Sequence, residues 1–331
     1  MLKFIKKFAI RCFLFTLCST VQAKDIQNYV YFELERERIS EDSFLNTPQL
    51  VGAQLKYTWD ELEVGKGVYN FDQIEKDLNY LTGKKKKLFI QIQDLTFNLR
   101  KKYVPAYLLA ESEYNGGVGL HYLGEGEDAK PEGWIARRWD ISVSGRFQKL
   151  LKELGKKFDG RIAGINLPET AFAYGDREDL KPKDFTPEKY KDAVIETMKV
   201  LKSAFPNSIA MQYTNFMPGE WLPHEDNGYM KDVYAAAKAN SVAVGGPDLL
   251  PYKKGQMNHA YHFLPLVEGF VTTGIAAQED NYKHINPRTG KQVTVPEMYT
   301  FAKEPLKIDI IFWCTQEPYY SRDVLPFLKA H

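Results

Sequence analysis

Eight short apolar segments, several of them separated by stretches with helical periodicity, constrain the fold of this chain more than any other feature. The segments are 29–32, 50–55, 88–92, 162–165, 209–213, 242–245, 274–277 and 308–312. Each has the length of a β-strand. Apolar residues recur at helical spacing over 71–81, 146–158, 187–204 and 229–238. Because parallel strands need long crossovers, usually helices, this order predicts a parallel α/β fold.

Eight strands in about 300 residues favour a closed (β/α)8 barrel, the TIM barrel, as a single domain over 24–331. An open doubly wound sheet is the structural alternative. Neither G-x-G-x-x-G nor a P-loop follows any of the strands, which removes the usual nucleotide-binding rationale for an open sheet. The longest connections, 94–144 and 280–305, follow the third and seventh strands. In a barrel they would lie over the active face.

The first 23 residues have the layout of a cleavable secretory signal peptide. Four basic residues open the segment, an apolar stretch follows over 12–18, and small residues precede the expected cleavage after Ala23. We therefore expect an exported protein, either periplasmic or extracellular. No later segment is apolar enough to predict a membrane span.

Charge and cysteine content narrow the possible partners. The whole chain has 44 Lys and Arg against 43 Asp and Glu, and cleavage would take its net charge from +1 to −3. Nucleic acid is an improbable partner because no basic excess is available for phosphate contacts. Of the 3 cysteines only Cys314 lies beyond the signal segment, so the mature chain could form no internal disulfide.

Polar side chains enter five of the predicted strands towards their carboxyl-terminal ends. They are Gln54, Lys56, Gln91, Gln93, Asn166, Gln212, Thr214, Gln278 and Glu279. Strands buried on both faces are otherwise almost wholly apolar. Since a barrel carries its functional side chains at this end, the pattern indicates a polar cleft.

The stretch 51–72 resembles the second strand and helix of glycoside hydrolase clan A. The clan pattern is an aromatic residue, Leu-Glu-Pro, and then Gly-x-Tyr-x-Phe. Here Trp59 is followed by Leu62 and Glu63, and 67–71 reads Gly-Val-Tyr-Asn-Phe, with Val64 in place of the common Pro. The resemblance extends through 87–94, 162–170 and 308–313. It implies a retaining glycosidase that acts on carbohydrate and needs no cofactor.

A retaining mechanism needs two carboxyl groups about 5 to 5.5 Å apart. By the resemblance, Glu169 after the fourth strand is the acid/base and Glu279 after the seventh is the nucleophile. Asp280 is the competing nucleophile, because a shift of one residue in strand register exchanges which side chain points inward. The clan usually has Asn directly before the acid/base, whereas here Asn166 stands three residues earlier.

Six further residues are candidate substrate contacts. They are Asn166, Gln93, Asn215, Gln278, Tyr282 and Trp313. By the resemblance, Trp313 at the end of the eighth strand forms the floor of a sugar subsite, with a core tryptophan as the alternative. Tyr282 either hydrogen-bonds the nucleophile or packs. Trp59, Trp139 and Trp221 are expected to be structural, with sugar stacking as the alternative for each.

Two other functions stay open at this stage. A barrel that binds sugar without catalysis would also fit, because the motifs depart from the clan pattern. A polysaccharide lyase fits less well, since it would cluster Lys, Arg or Tyr in the cleft. We expect no metal, because His259 and His262 lack both the Glu of H-E-x-x-H and an obvious third ligand. The oligomeric state is not predicted.

Overall fold

The computed structural model describes residues 25–124, 126–175 and 177–331. It shows a single domain built on a closed barrel of eight parallel strands, with each strand paired to its neighbours in chain order and the last paired to the first. The strands are β1 (Gln27–Tyr31), β2 (Leu50–Thr58), β3 (Lys87–Gln93), β4 (Gly164–Leu167), β5 (Ile209–Tyr213), β6 (Ala243–Gly246), β7 (Thr273–Ala277) and β8 (Ile310–Cys314). The predicted TIM barrel is confirmed. The predicted signal segment, 1–23, lies outside the described residues.

Helices surround the barrel and supply its crossovers. They are α1 (Asp42–Leu45), α2 (Trp59–Leu62), α3 (Asp72–Gly83), α4 (Ala106–Ala110), α5 (Ile141–Phe158), α6 (Pro187–Ala204), α7 (Tyr229–Asn240), α8 (Lys254–Asn258), α9 (Ala260–Phe263), α10 (Val295–Lys303) and α11 (Leu325–Ala330). The four stretches with helical periodicity correspond to α3, α5, α6 and α7. Within the described part of the chain, no helix is long and apolar enough to cross a membrane.

Shorter turns of helix complete the connections. The 3-10 segments are Arg36–Ser40, Ser112–Tyr114, Gly126–Asp128, Leu264–Val267 and Asn281–Lys283, and a π-helical turn covers Tyr320–Val324. A two-stranded ribbon joins Glu63–Gly65 to Val68–Tyr69.

Helices α5 and α6 begin where their sequences predict a cap. The Asp140 carboxylate accepts a hydrogen bond from the backbone N–H of Ser142 at 2.9 Å, and the Thr186 hydroxyl accepts one from Lys189 at 3.2 Å. The helices approach closely at Gly155, where an added Cβ would lie 2.3 Å from the Ala204 carbonyl oxygen. Glycine is therefore needed at this helix contact.

Aromatic rings fill the barrel interior. Phe89 packs 5.9 Å from Tyr29 and 5.0 Å from Phe312, measured between ring centres. Gly164 gives Phe89 its space, because a Cβ there would lie 2.5 Å from the Phe89 ring. This packed interior closes the barrel below, so a ligand can enter only at an end.

The long connection after β3 carries a small antiparallel sheet of its own. This appended sheet consists of Leu95–Thr96, Val118–Leu123 and Lys130–Ala136, with the last strand in the centre. Gly133 permits the pairing, because a Cβ there would lie 1.7 Å from the Thr96 carbonyl oxygen. The chain returns from this sheet to the barrel mouth at Arg138.

Candidate active site

A narrow pocket opens at the carboxyl-terminal end of the barrel, where the sequence predicts a polar cleft. Its lining comes from β1, β2, β3 and β5 and from the loops that follow β3, β4, β6 and β7. The lining residues are Tyr31, Lys56, Gln91, Gln93, Phe97, Pro168, Glu169, Tyr213, Pro247 and Gln278. Three of the sequence-predicted site residues, Glu169, Gln93 and Gln278, therefore share one pocket.

The Glu169 carboxylate is held in place by Asn215. Glu169 lies two residues beyond β4 and is half-buried, and the Asn215 side-chain amide donates a hydrogen bond to its carboxylate. The Asn215 carbonyl oxygen in turn accepts the backbone N–H groups of Ala171 at 3.0 Å and Phe216 at 2.9 Å. These bonds fix the side chain of Asn215, so the carboxylate of Glu169 has a defined partner and orientation.

The environment of Glu169 favours its protonated form. Burial, followed by the negative charge of Asp248, raises the pKa of Glu169 from 4.5 to about 7. The Asn215 hydrogen bond and the positive charges of Arg138 and Lys56 act in the opposite direction but are outweighed. A carboxyl group with this pKa can hold a proton near neutral pH and release it to a substrate.

Asp248, a residue the sequence analysis missed, provides a second carboxylate that acts on Glu169. It lies two residues beyond β6, and it is half-buried. The Asn281 side-chain amide donates to its carboxylate at 3.0 Å, while the Asn281 carbonyl oxygen accepts the backbone N–H of Leu249 at 2.8 Å and of Gln278 at 3.1 Å. Burial raises the pKa of Asp248 above its ordinary value. The same strand-end rule that marked the other residues could have found it.

Arg138 ties the backbone of Glu169 to two other elements. Its guanidinium donates to both carboxylate oxygens of Asp94, at 2.9 and 2.6 Å, just after β3. It also donates to the Tyr190 hydroxyl of α6 at 2.9 Å and to the Glu169 carbonyl oxygen at 2.8 Å. Because Asp94 is buried, this two-bond ion pair is shielded from water. No local sequence signal marks Arg138.

Lys56 places a positive charge in the same mouth. Its ammonium lies 5.2 Å from the centre of the Tyr31 ring. Burial lowers the pKa of Lys56, and the nearby carboxylates of Glu33, Glu169 and Glu279 oppose that shift. The charges of three carboxylates therefore act on Lys56, and two of these carboxylates are the predicted catalytic pair.

Glu279 and its neighbour Asp280 have different surroundings. Both are exposed, but Asp280 has a left-handed backbone (φ 64°) and forms an ion pair with Lys283 at 2.6 Å. The Gln316 side-chain amide also donates to the Asp280 carboxylate, at 3.2 Å. Asp280 is thus engaged at the surface, whereas Glu279 is the one whose charge acts on Lys56.

Two glutamines bring buried acceptors to the pocket. Gln91 and Gln93 are each 6% exposed, and the side-chain oxygen of each has no hydrogen-bond partner within the described residues. A buried acceptor without a partner is costly, so these positions favour a ligand that donates hydrogen bonds. Asn166 is the register partner of Gln91 on the neighbouring strand, but it is fully buried and accepts a hydrogen bond from Gln54 at 2.8 Å. The structure therefore does not bring Asn166 to the pocket surface.

Two of the predicted substrate contacts are instead packed in the core. Trp313 is fully buried, and its indole N–H donates to Asn28 at 2.9 Å, so the expectation that it floors a sugar subsite is wrong. Tyr282 donates its hydroxyl to the Cys314 carbonyl oxygen at 2.9 Å and stacks on Tyr319. It packs rather than contacting the nucleophile.

Of the two closely spaced histidines, His259 and His262, the first has a structural role. His259 is buried, and its Nε2 accepts the backbone N–H of Leu222 at 3.0 Å. Among the residues that the structure describes, no group of three or more His, Cys, Asp or Glu could hold a metal ion.

The chain has the fold of several glycosidases of known structure. A GH10 endoxylanase from a sugarcane soil metagenome superposes with a TM-score of 0.51 at 12% identity, over 88% of this chain and 85% of that one. A xylanase XynB from Paenibacillus barcinonensis gives 0.50 at 12% identity, over 89% and 87% of the two chains. The resemblance to clan A is thus confirmed at the level of the fold.

A β-galactosidase from Bacillus circulans sp. alkalophilus gives a TM-score of 0.54 at 10% identity. The match covers 89% of this chain but only 50% of that enzyme. No protein-family model matches the sequence. No curated protein matches it either.

Proposed function

We propose that this protein is an exported retaining glycoside hydrolase, with Glu169 as acid/base and Glu279 as nucleophile. The observation that carries the proposal is the state of Glu169. Its carboxyl group lies in the barrel-mouth pocket, is held by Asn215, and has a pKa raised to about 7. A glycosidase needs such a group to protonate the leaving oxygen.

The pocket suits a sugar. The buried oxygens of Gln91 and Gln93 can accept hydrogen bonds from hydroxyl groups, which a carbohydrate offers in number. Glycosidases of similar fold, among them the xylanases and the β-galactosidase, support the same substrate class. The amino-terminal pattern of 1–23 supports export, which would place the protein where polysaccharides are encountered.

The reaction would proceed in two displacements. Glu279 attacks the anomeric carbon as the bond to the leaving oxygen breaks, and Glu169 gives its proton to that oxygen. A water molecule then attacks the same carbon, Glu169 takes a proton from it, and the bond to Glu279 breaks. Burial of Glu169 favours its protonated form for the first step, and the exposed position of Glu279 leaves its side chain accessible.

A sugar receptor without catalysis is the second candidate. The observation that favours it is the exposure of Glu279, because a nucleophile is usually fixed by neighbouring donors. Pro168 also stands directly before the acid/base, where the clan usually has Asn.

Azide rescue distinguishes these functions and assigns the roles. The variants Glu169→Ala and Glu279→Ala would be assayed on activated aryl glycosides that the wild type cleaves, with Asp280→Ala as the matched neighbouring control. We expect azide to restore turnover in both, giving a glycosyl azide of retained configuration with Glu169→Ala and of inverted configuration with Glu279→Ala. Asp280→Ala should turn over normally.

Full activity in either glutamate variant would refute that assignment. If the wild type binds oligosaccharides in calorimetry but cleaves none of the glycosides, the receptor is the correct function.

A further inference from the structure

The loops on either side of Glu169 each present a half-exposed aromatic ring. Phe97 follows the first strand of the appended sheet, after β3, and is 53% exposed. Trp221 lies on the loop after β5 and is 51% exposed. Because β4, which Glu169 follows, lies between β3 and β5 in the barrel, the loops that carry the two rings follow the strands on either side of the candidate acid/base.

Phe97 belongs to the pocket itself. It lines the pocket together with Glu169, and its ring rests edge-on against His121, with 5.5 Å between ring centres. His121 is buried and accepts the backbone N–H of Ala173 at 3.3 Å. The Phe97 ring is therefore held by a buried neighbour while about half of its side chain stays exposed.

Trp221 is supported in the same way and is connected to the acid/base through its neighbours. Its indole stacks on Phe216 with ring centres 5.7 Å apart and planes 12° apart, and it also packs on His259 at 4.9 Å. Phe216 directly follows Asn215, the residue that holds the Glu169 carboxylate. The stack lies against the backbone of α8, since a Cβ at Gly255 would lie in ordinary contact with both rings, at 3.7 and 3.9 Å.

Flat, supported aromatic rings with one exposed face suit the apolar faces of pyranose rings. A single sugar at Glu169 would need neither Phe97 on one side nor Trp221 on the other. A chain of sugars that passes Glu169 would contact both. Such a chain fits the polar lining as well, because Gln91 and Gln93 line the same pocket as Phe97 and Glu169 and have side-chain oxygens without a partner among the described residues.

We propose that Phe97 and Trp221 are the two ends of a groove that binds a glycan chain across Glu169, so that the enzyme cleaves within chains rather than at their ends. This inference rests on the proposed glycosidase function for cleavage, but chain binding can be tested without turnover.

Binding would be measured by calorimetry on the Glu169→Gln background, starting with xylohexaose and xylobiose and extending to other hexasaccharides. We expect the hexasaccharide to bind more tightly than the disaccharide. Trp221→Ala and Phe97→Ala should each weaken hexasaccharide binding roughly three- to tenfold, as expected for the loss of one aromatic stack. Trp221→Tyr should restore most of the affinity, because a tyrosine ring also stacks.

Phe270→Ala is the matched control. Phe270 is 61% exposed, with the Lys238 ammonium 3.2 Å from its ring centre, but it lies before β7, at the opposite end of the barrel. Removing its ring should leave hexasaccharide binding unchanged.

Turnover then separates this inference from the proposed function. On the wild-type background, the aromatic variants should lose activity on the hexasaccharide while retaining it on an aryl monoglycoside, and the first products of the wild type should be internal fragments. Equal hexasaccharide affinity in Glu169→Gln with and without either aromatic change would overturn the groove, and so would release of single sugars from chain ends alone. If Trp221→Ala changes the oligomeric state in sedimentation but not the affinity for the hexasaccharide, the Trp221 ring belongs to a protein contact. That result would also overturn the groove. Chain binding without any turnover would leave the groove standing and refute the glycosidase.

Discussion

Replacing Glu169 by Gln should stabilise the protein, by an amount that grows as the pH rises above about 4.5 and levels off just above pH 7. Burial and Asp248 raise the pKa of Glu169 from 4.5 to about 7, so the folded state holds a proton there that the unfolded chain releases. The folded state therefore binds more protons between these pH values, and stability falls as the pH rises through this window. At about 1.4 kcal/mol per pH unit the full cost is about 3 kcal/mol.

Glutamine removes this cost because it stays neutral and can still accept the hydrogen bond from Asn215. Since Glu169 is only half-buried, solvent screening reduces the effect, and we expect a gain of about 1 to 3 kcal/mol at pH 8 and almost none at pH 4. With the urea dependence of a chain of this size, the unfolding midpoint should rise by roughly 0.3 to 1 M at pH 8.

The assay is equilibrium urea unfolding, followed by tryptophan fluorescence at both pH values. Glu279→Gln is the matched control, and because that side chain is exposed its midpoint should stay near that of the wild type. A Glu169→Gln midpoint equal to the wild type at pH 8, or an equal gain at both pH values, would show that burial does not hold Glu169 in its protonated form.

Three further changes test the surroundings of the site and the packing of the barrel. Asp248→Asn removes the charge that helps raise the pKa of Glu169. The alkaline limb of the plot of kcat/KM against pH should therefore shift to lower pH by roughly 0.5 to 1 pH unit. If turnover instead disappears and azide restores it, Asp248 is the nucleophile. Arg138→Met leaves the buried Asp94 carboxylate unpaired and should cost about 3 to 5 kcal/mol in urea unfolding, and a loss below 1 kcal/mol would contradict a shielded ion pair. Gly155→Ala should lower the stability by about 1 to 3 kcal/mol, because its Cβ meets the α6 carbonyl at 2.3 Å, and an unchanged midpoint would mean that the helices can separate freely.

The barrel could be predicted from the sequence because its signals are local. Strand-length apolar runs and helical spacing depend only on neighbouring residues. The observed strands and the larger helices therefore coincide with those segments of the sequence. Glu169 could also be placed, because a residue that follows a barrel strand lies at the mouth whatever the rest of the chain does.

The sequence does not predict the direction in which a side chain points. It also does not predict which residues of distant segments contact each other. Trp313 stands at the end of β8, as the resemblance required, yet its indole turns inward to Asn28. The strand-end rule could place Asp248 at the barrel mouth, but no spacing in the sequence shows that its charge acts on Glu169, two strands away. Tyr282 likewise finds its partner in the backbone of Cys314, 32 residues away.

The position of Arg138 has a consequence for any attempt to shorten this protein. The appended sheet looks like a separable insertion between β3 and α5, and protein engineers would trim it first to obtain a minimal scaffold. Its last strand, however, is joined to Asp94 by the 2.9 Å bond from the Ala136 N–H, and this bond positions the arginine that braces the Glu169 backbone. Removing the sheet would therefore leave the Glu169 backbone without this support, even though no residue of the loop after β4 had been changed.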